Sequence, residues 1–75
     1  MKTLKRMTGA ELRKERDDRE LTQEDFGVFV AKLLGRERAY TRFEVSAWEI
    51  EDRPVPEAVE RALLRLRLNE LAAAS

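Results

Sequence analysis

The pattern Thr-x-x-acid occurs three times along this 75-residue chain, each time with an apolar residue before the threonine and another just after the acid. It stands at Thr8-Gly9-Ala10-Glu11 between Met7 and Leu12, and at Thr22-Gln23-Glu24-Asp25 between Leu21 and Phe26. It returns at Thr41-Arg42-Phe43-Glu44 between Tyr40 and Val45. A threonine hydroxyl so placed accepts a hydrogen bond from an orphan N–H of a helix's first turn, and the third-residue carboxylate can return the bond. The flanking apolar pair staples the incoming chain to the helix. One match is weak evidence, but three with staples predict three helix starts. Asp25, shorter than glutamate, makes the second box the poorest.

A fourth helix is expected from near Pro56, because proline suits a first helical turn and Pro54 blocks continuation from upstream. Its body, Glu57–Ala73, is rich in Ala, Leu, Glu and Arg. The first helix is expected over about Gly9–Glu20, with Arg13/Asp17, Lys14/Asp18 and Glu15/Arg19 at i,i+4 spacing. The second spans about Gln23–Leu34, with Phe26, Phe29, Val30 and Leu33 on an apolar face and Gly35 as its stop. The third covers about Arg42–Ile50, with Val45 and Trp48 inward. The fourth is expected to bury Val55, Val59, Ala62, Leu63 and Leu66. No segment reads as a strand. The predicted fold is all-α, a compact bundle of four to five helices, with a basic arm at 1–7 and one domain over 8–75 ending in a long helix.

Composition removes several classes of function. There is no cysteine and no histidine, so disulfides, thiolate or imidazole metal sites and imidazole acid–base catalysis are absent. No calcium loop occurs, no cofactor is implied, and so small a chain rarely encloses a pocket, so an enzyme is not expected. The longest apolar stretch, Phe26–Ala31, is too short to span a bilayer. The basic start Met1–Arg6 lacks the apolar run of a secretory signal. A soluble, cytoplasmic protein is the expectation.

Net charge is zero, which alone argues mildly against a nucleic-acid partner. Its distribution is uneven: residues 1–7 carry +3, 8–25 carry −3, 26–48 carry +2 and 49–75 carry −2. Lys32, Arg36, Arg38 and Arg42 make the middle of the chain basic.

Leu21-Thr22-Gln23-Glu24 with Phe26-Gly27, followed by Val45-Ser46-Ala47-Trp48-Glu49, resembles the phage-repressor/Cro (XRE-type) helix-turn-helix family. That family reads Leu-Thr-Gln-Glu-x-Leu-Ala, a short turn, then Val-Ser-x-Trp-Glu. The likeness covers about residues 8–66. It implies a lambda-repressor-like domain that binds operator DNA as a dimer, with the third helix in the major groove, and that acts as a transcriptional regulator, by expectation a repressor. It implies a small residue at Gly27, where the second and third helices approach. It implies that Gln23 grips a phosphate at the helix start, and that Arg16 and Glu49 pair across helices, two solvated charges being the alternative. At 100° per residue, Phe43, Ser46, Ala47 and Ile50 face outward on the third helix, with Arg42 at its start. Arg42 suits a guanine edge or a phosphate, Phe43 and Ala47 suit thymine methyls, and Ser46 suits either base type.

The chain departs from the family between Ala31 and Tyr40, where about one helical turn and a loop are inserted. Arg36 and Arg38 in that loop are candidate phosphate contacts, as is Arg53 after the third helix; solvated loop arginines are the alternative. The outer face, with Phe43, Ala47 and Ile50, is apolar for a base reader. A protein-interaction module on the same fold, antitoxin-like or a phage-encoded modulator of a host protein, is the competing expectation. Leu64, Leu68 and Leu71 form a second stripe on the last helix, read as a homodimer interface, or else as covered by Leu4 and Met7 of the arm.

Overall fold

Each of the three threonines heads a helix in a computed structural model that describes residues 6–74. The elements are α1 (Gly9–Asp18), α2 (Gln23–Leu33), α3 (Arg42–Glu49) and α4 (Glu57–Ala74), and no strand occurs among the described residues. The all-α expectation holds, with four helices. The capping boxes at Thr8 and Thr41 are complete: each hydroxyl accepts from the third residue's N–H, and Glu11 and Glu44 accept from the threonine N–H groups at 2.8 and 2.9 Å. At Thr22 the hydroxyl accepts from Asp25 N–H without the return bond, as the shorter aspartate leads one to expect.

The first three helices also end alike. Beyond each cap stands a residue of positive φ: Glu20 at 56°, Gly35 at 69° and Glu51 at 62°. The next N–H reaches back to a carbonyl five residues earlier, from Leu21 to Arg16, Arg36 to Ala31 and Asp52 to Ala47. These are Schellman closures, which normally recruit glycine at the left-handed position. Gly35 is the stop the sequence announces. Glu20 and Glu51 adopt the same conformation with a side chain, and α1 therefore ends at Asp18, two residues earlier than expected.

The core is Leu12, Phe26, Val30, Val45, Trp48, Val55, Val59 and Leu63, flanked by Met7, Leu21, Phe29, Leu34 and Tyr40. Burying each large apolar side chain contributes about 1.5–3 kcal/mol. Leu33, expected inside, is 39% exposed. The buried arc of α2 runs through Phe26, Gly27, Val30 and Ala31, and Leu33 falls at its edge. Gly27 turns inward because the chain at Tyr40 lies directly on it. A Cβ added to Gly27 would stand 2.1 Å from the Tyr40 carbonyl oxygen. The close approach at Gly27 is thus to the residue leading into α3, not to α3 itself. A second close approach went unread in the sequence: a Cβ on Gly9 would lie 2.2 Å from the Glu49 carbonyl oxygen, where α1 begins against the end of α3.

Helix α3 packs on α1 and α2, and α2 packs on α4. Long charged side chains tie α1 to α4. Glu15, expected on the surface, is 5% exposed and receives both Arg19 and Arg67; Arg19 also reaches Glu70 at 2.9 Å. Arg6 pairs with Glu60 at 3.3 Å and donates to the Val55 carbonyl at 2.7 Å, which fastens the end of the arm to the start of α4. Leu4 lies outside the described residues. Met7 packs on the core, while Leu64, Leu68 and Leu71 are 47, 66 and 62% exposed.

Candidate nucleic-acid interface

Helix α3 is short, about 12 Å long at 1.5 Å per residue, and is held from three sides. Val45 and Trp48 anchor its inner face. The Tyr40 ring meets Trp48 edge-on at 4.9 Å between centroids, so the apolar staple before Thr41 is also an aromatic pair. Its far end is held by charge. Arg16 of α1 donates through Nε to Glu49 Oε2 at 2.6 Å, through Nη2 to Glu49 Oε1 at 3.1 Å, and through Nη1 to the Leu21 carbonyl at 3.0 Å. The Glu49 hydrogen bond raises the Arg16 pKa against the opposing effect of burial, so the guanidinium stays charged. One side chain thereby joins the end of α1, the turn into α2 and the end of α3. The expected pair is present in the fold.

Gln23 joins this cluster. Its side-chain amide donates to Glu49 Oε1 at 3.2 Å, and the residue is half-buried. The glutamine expected to grip a phosphate therefore orients the glutamate that anchors α3.

Outward from this scaffold, Phe43 is 71% and Ile50 74% exposed, while Ser46 and Ala47 between them are half-buried. Arg42 is exposed, with its guanidinium carbon 4.9 Å from the Phe43 ring centroid. Arg36 and Arg38 lie exposed in the α2–α3 loop, and Arg36 sits 3.9 Å over the Tyr40 ring. Arg53 is exposed past the other end of α3, where its N–H and that of Asp52 both donate to the Ala47 carbonyl. Candidate base and phosphate contacts other than Gln23 therefore lie on α3 and on the segments just before and after it.

The electrostatics separate two populations of cations among the described residues. Arg6, Arg13, Lys14, Arg16, Arg19, Arg61 and Arg67 are all in ion pairs with carboxylates. Arg36, Arg38, Arg42 and Arg53 are in none, and neither are Lys32 of α2 and Arg65 of α4. Ion pairs among the described residues are concentrated on α1 and α4, with Arg16–Glu49 at the end of α3, while around α3 the arginines stand among Glu37, Glu44, Glu51 and Asp52, which are in no ion pair either. The signal for this was present in the sequence only as the basic middle segment; the buried role of Glu15 that consumes Arg19 and Arg67 was not legible.

Comparison of the chain with family models, curated proteins and solved structures finds no match. Among the described residues, no helix is long and apolar enough to cross a membrane.

Proposed function

We propose that this protein is a sequence-specific DNA-binding transcriptional regulator of the helix-turn-helix kind, a repressor that binds double-stranded operator DNA as a homodimer with α3 in the major groove. The observation that carries the reading is the placement of the arginines. Arg36, Arg38 and Arg42 stand before and at the start of α3 and Arg53 past its end, all outside the ion pairs that occupy the cations of α1. A helix about 10–12 Å across with its side chains, flanked by arginines outside ion pairs, fits a groove about 12 Å wide bordered by phosphates. Arg36, Arg38 and Arg53 hold the phosphate backbone and set register, while Arg42 and the outer face of α3 meet base edges. The α2 start, with Gln23, approaches a phosphate through its free backbone N–H groups. The likeness of Leu21–Glu24 and Val45–Glu49 to the phage-repressor pattern supports the same reading, and the exposed Leu64, Leu68 and Leu71 stripe supports the dimer.

Selection from random duplex DNA tests this. A palindromic motif bound with an affinity that falls steeply with salt is the expected result. Affinity for every duplex that stays flat between low and moderate salt would overturn it. Exposure of Phe43 and Ile50 favours a second reading, a module that docks on a host protein through the same face. One stoichiometric protein partner with no affinity for DNA would favour that alternative.

A further inference from the structure

We propose that α3 selects its DNA by the C5 methyl groups of pyrimidines, whichever base carries them, through Phe43, Ala47 and Ile50. The proposal rests on the DNA-binding reading above and concerns what that site recognises. At 100° per residue, Phe43, Ala47 and Ile50 fall within an arc of roughly 60° pointing away from buried Val45 and Trp48. Phe43 and Ile50 are the most exposed large apolar residues of the described chain, 71 and 74%, and they lie about 10 Å apart along the axis, close to three base-pair steps. These two open side chains stand on either side of half-buried Ala47 along one face of the helix.

Hydrogen-bonding groups that normally read base edges are scarce here. Glu44 is committed to the Thr41 N–H in the capping box. Gln23 is committed to Glu49. Arg42 and Ser46 flank the stripe rather than form it. In the major groove, the apolar feature available to such a surface is the methyl group on C5 of thymine. Cytosine methylated at C5 carries the same group in the same place. Ala47 and Ile50 have no side-chain donor or acceptor, and Phe43 has none, so these residues do not distinguish the O4 of thymine from the N4 amine of cytosine. Arg36, Arg38 and Arg53 then supply affinity without sequence, and the methyls add choice beyond any base that Arg42 reads.

The test uses the full chain and its best duplex from random selection, in four versions. In the first, thymines are intact; in the second, each is replaced by uracil within its A-paired context. In the third, T·A pairs under α3 become C·G, and in the fourth they become 5-methyl-C·G. Removing a methyl is expected to weaken binding roughly fourfold per contacted base, from the transfer value of one buried carbon. The cytosine duplex should bind as weakly as the uracil one, and 5-methylcytosine should restore most of the loss. Phe43→Ser, on an exposed position, should narrow the difference between thymine and uracil duplexes by the share of the methyl that Phe43 contacts. Equal affinity for thymine and uracil duplexes by the unaltered chain, with salt-dependent binding retained, overturns the methyl proposal and leaves the DNA-binding reading intact. Absence of salt-dependent binding to any duplex overturns both.

Discussion

Arg16 and Glu49 meet across 33 residues of sequence in a two-pronged contact, Nε to Oε2 at 2.6 Å and Nη2 to Oε1 at 3.1 Å, with both side chains largely shielded from water. Removing either partner strands the other charge, which costs about 3–5 kcal/mol for a buried pair. A domain this small has a total stability on the order of 5–10 kcal/mol. Arg16→Ala and Glu49→Ala should therefore each remove a large part of it, seen as a lower urea midpoint. The double variant should lose less than the sum, because each single change already breaks the same contact. Simple additivity would show that the two groups are not coupled.

The two close approaches at glycine should be the least tolerant small-residue positions. Gly27→Ala places a methyl against the Tyr40 carbonyl and Gly9→Ala places one against the Glu49 carbonyl, both backbone atoms that cannot step aside cheaply. Losses of about 1–3 kcal/mol or more are expected from such overpacking. The reverse change at the left-handed helix ends, Glu20→Gly or Glu51→Gly, should raise thermal stability by about 0.5–1 kcal/mol, since glycine relieves the positive φ. A drop in melting temperature for both would contradict that view of the helix ends.

Exposure of Leu64, Leu68 and Leu71 leads to a test of assembly. If the proposed dimer forms through this stripe, Leu68→Glu should convert it to a monomer in sedimentation without loss of helical signal, because the residue is outside the core. An unchanged mass would exclude this stripe as the interface.

Arg42 stands at the first turn of α3 with its guanidinium stacked on Phe43. If it reads a guanine, Arg42→Ala should weaken the preferred duplex by about 1–3 kcal/mol and relax selectivity at one position. An equal loss on all sequences would assign it to a phosphate.

Acid should loosen the α1–α4 side. The Arg19 guanidinium hydrogen-bonds Glu70 and holds its carboxyl below the usual range, with Arg67 adding to the effect. A carboxyl whose folded pKa is depressed stabilises the fold above its unfolded value and ceases to do so as pH falls through the folded value. Urea midpoints should therefore decline from neutral pH toward about pH 3, with the fall beginning near the ordinary glutamate range. Glu70→Gln should flatten part of that decline. An identical acid limb in the variant would remove Glu70 from the account.

The helix starts and most of the core were legible because capping and periodicity are local: Thr8, Thr22 and Thr41 announce themselves within four residues, and Val45 and Trp48 share a face by spacing alone. The Arg16–Glu49 pairing became legible through the family likeness. Long-range relationships without a local signature were not. Glu15 and Arg19 read as an ordinary surface pair, because nothing near them in sequence shows that Arg67 and Glu70 arrive from α4. Leu33 lies at the edge of the core for a related reason: the inward arc of α2 includes Gly27, which is covered by Tyr40, thirteen residues beyond it in the sequence. Glu20 and Glu51 gave no glycine to mark the left-handed turn.

The seating of Tyr40 on Gly27 has a consequence for how such a protein can diversify. The Tyr40 N–H donates to the Gly27 carbonyl at 3.4 Å, and its own carbonyl occupies the space a Cβ would need. The orientation of α3 is therefore fixed downstream of the loop, while α2 is closed upstream at Gly35. Between these two latches, residues 36–39 form a cassette whose length and charge can be exchanged without turning the helix that follows. On the proposed DNA-binding reading, grafting loops with different numbers of arginines between Gly35 and Tyr40 would change affinity without changing the sequence preferred.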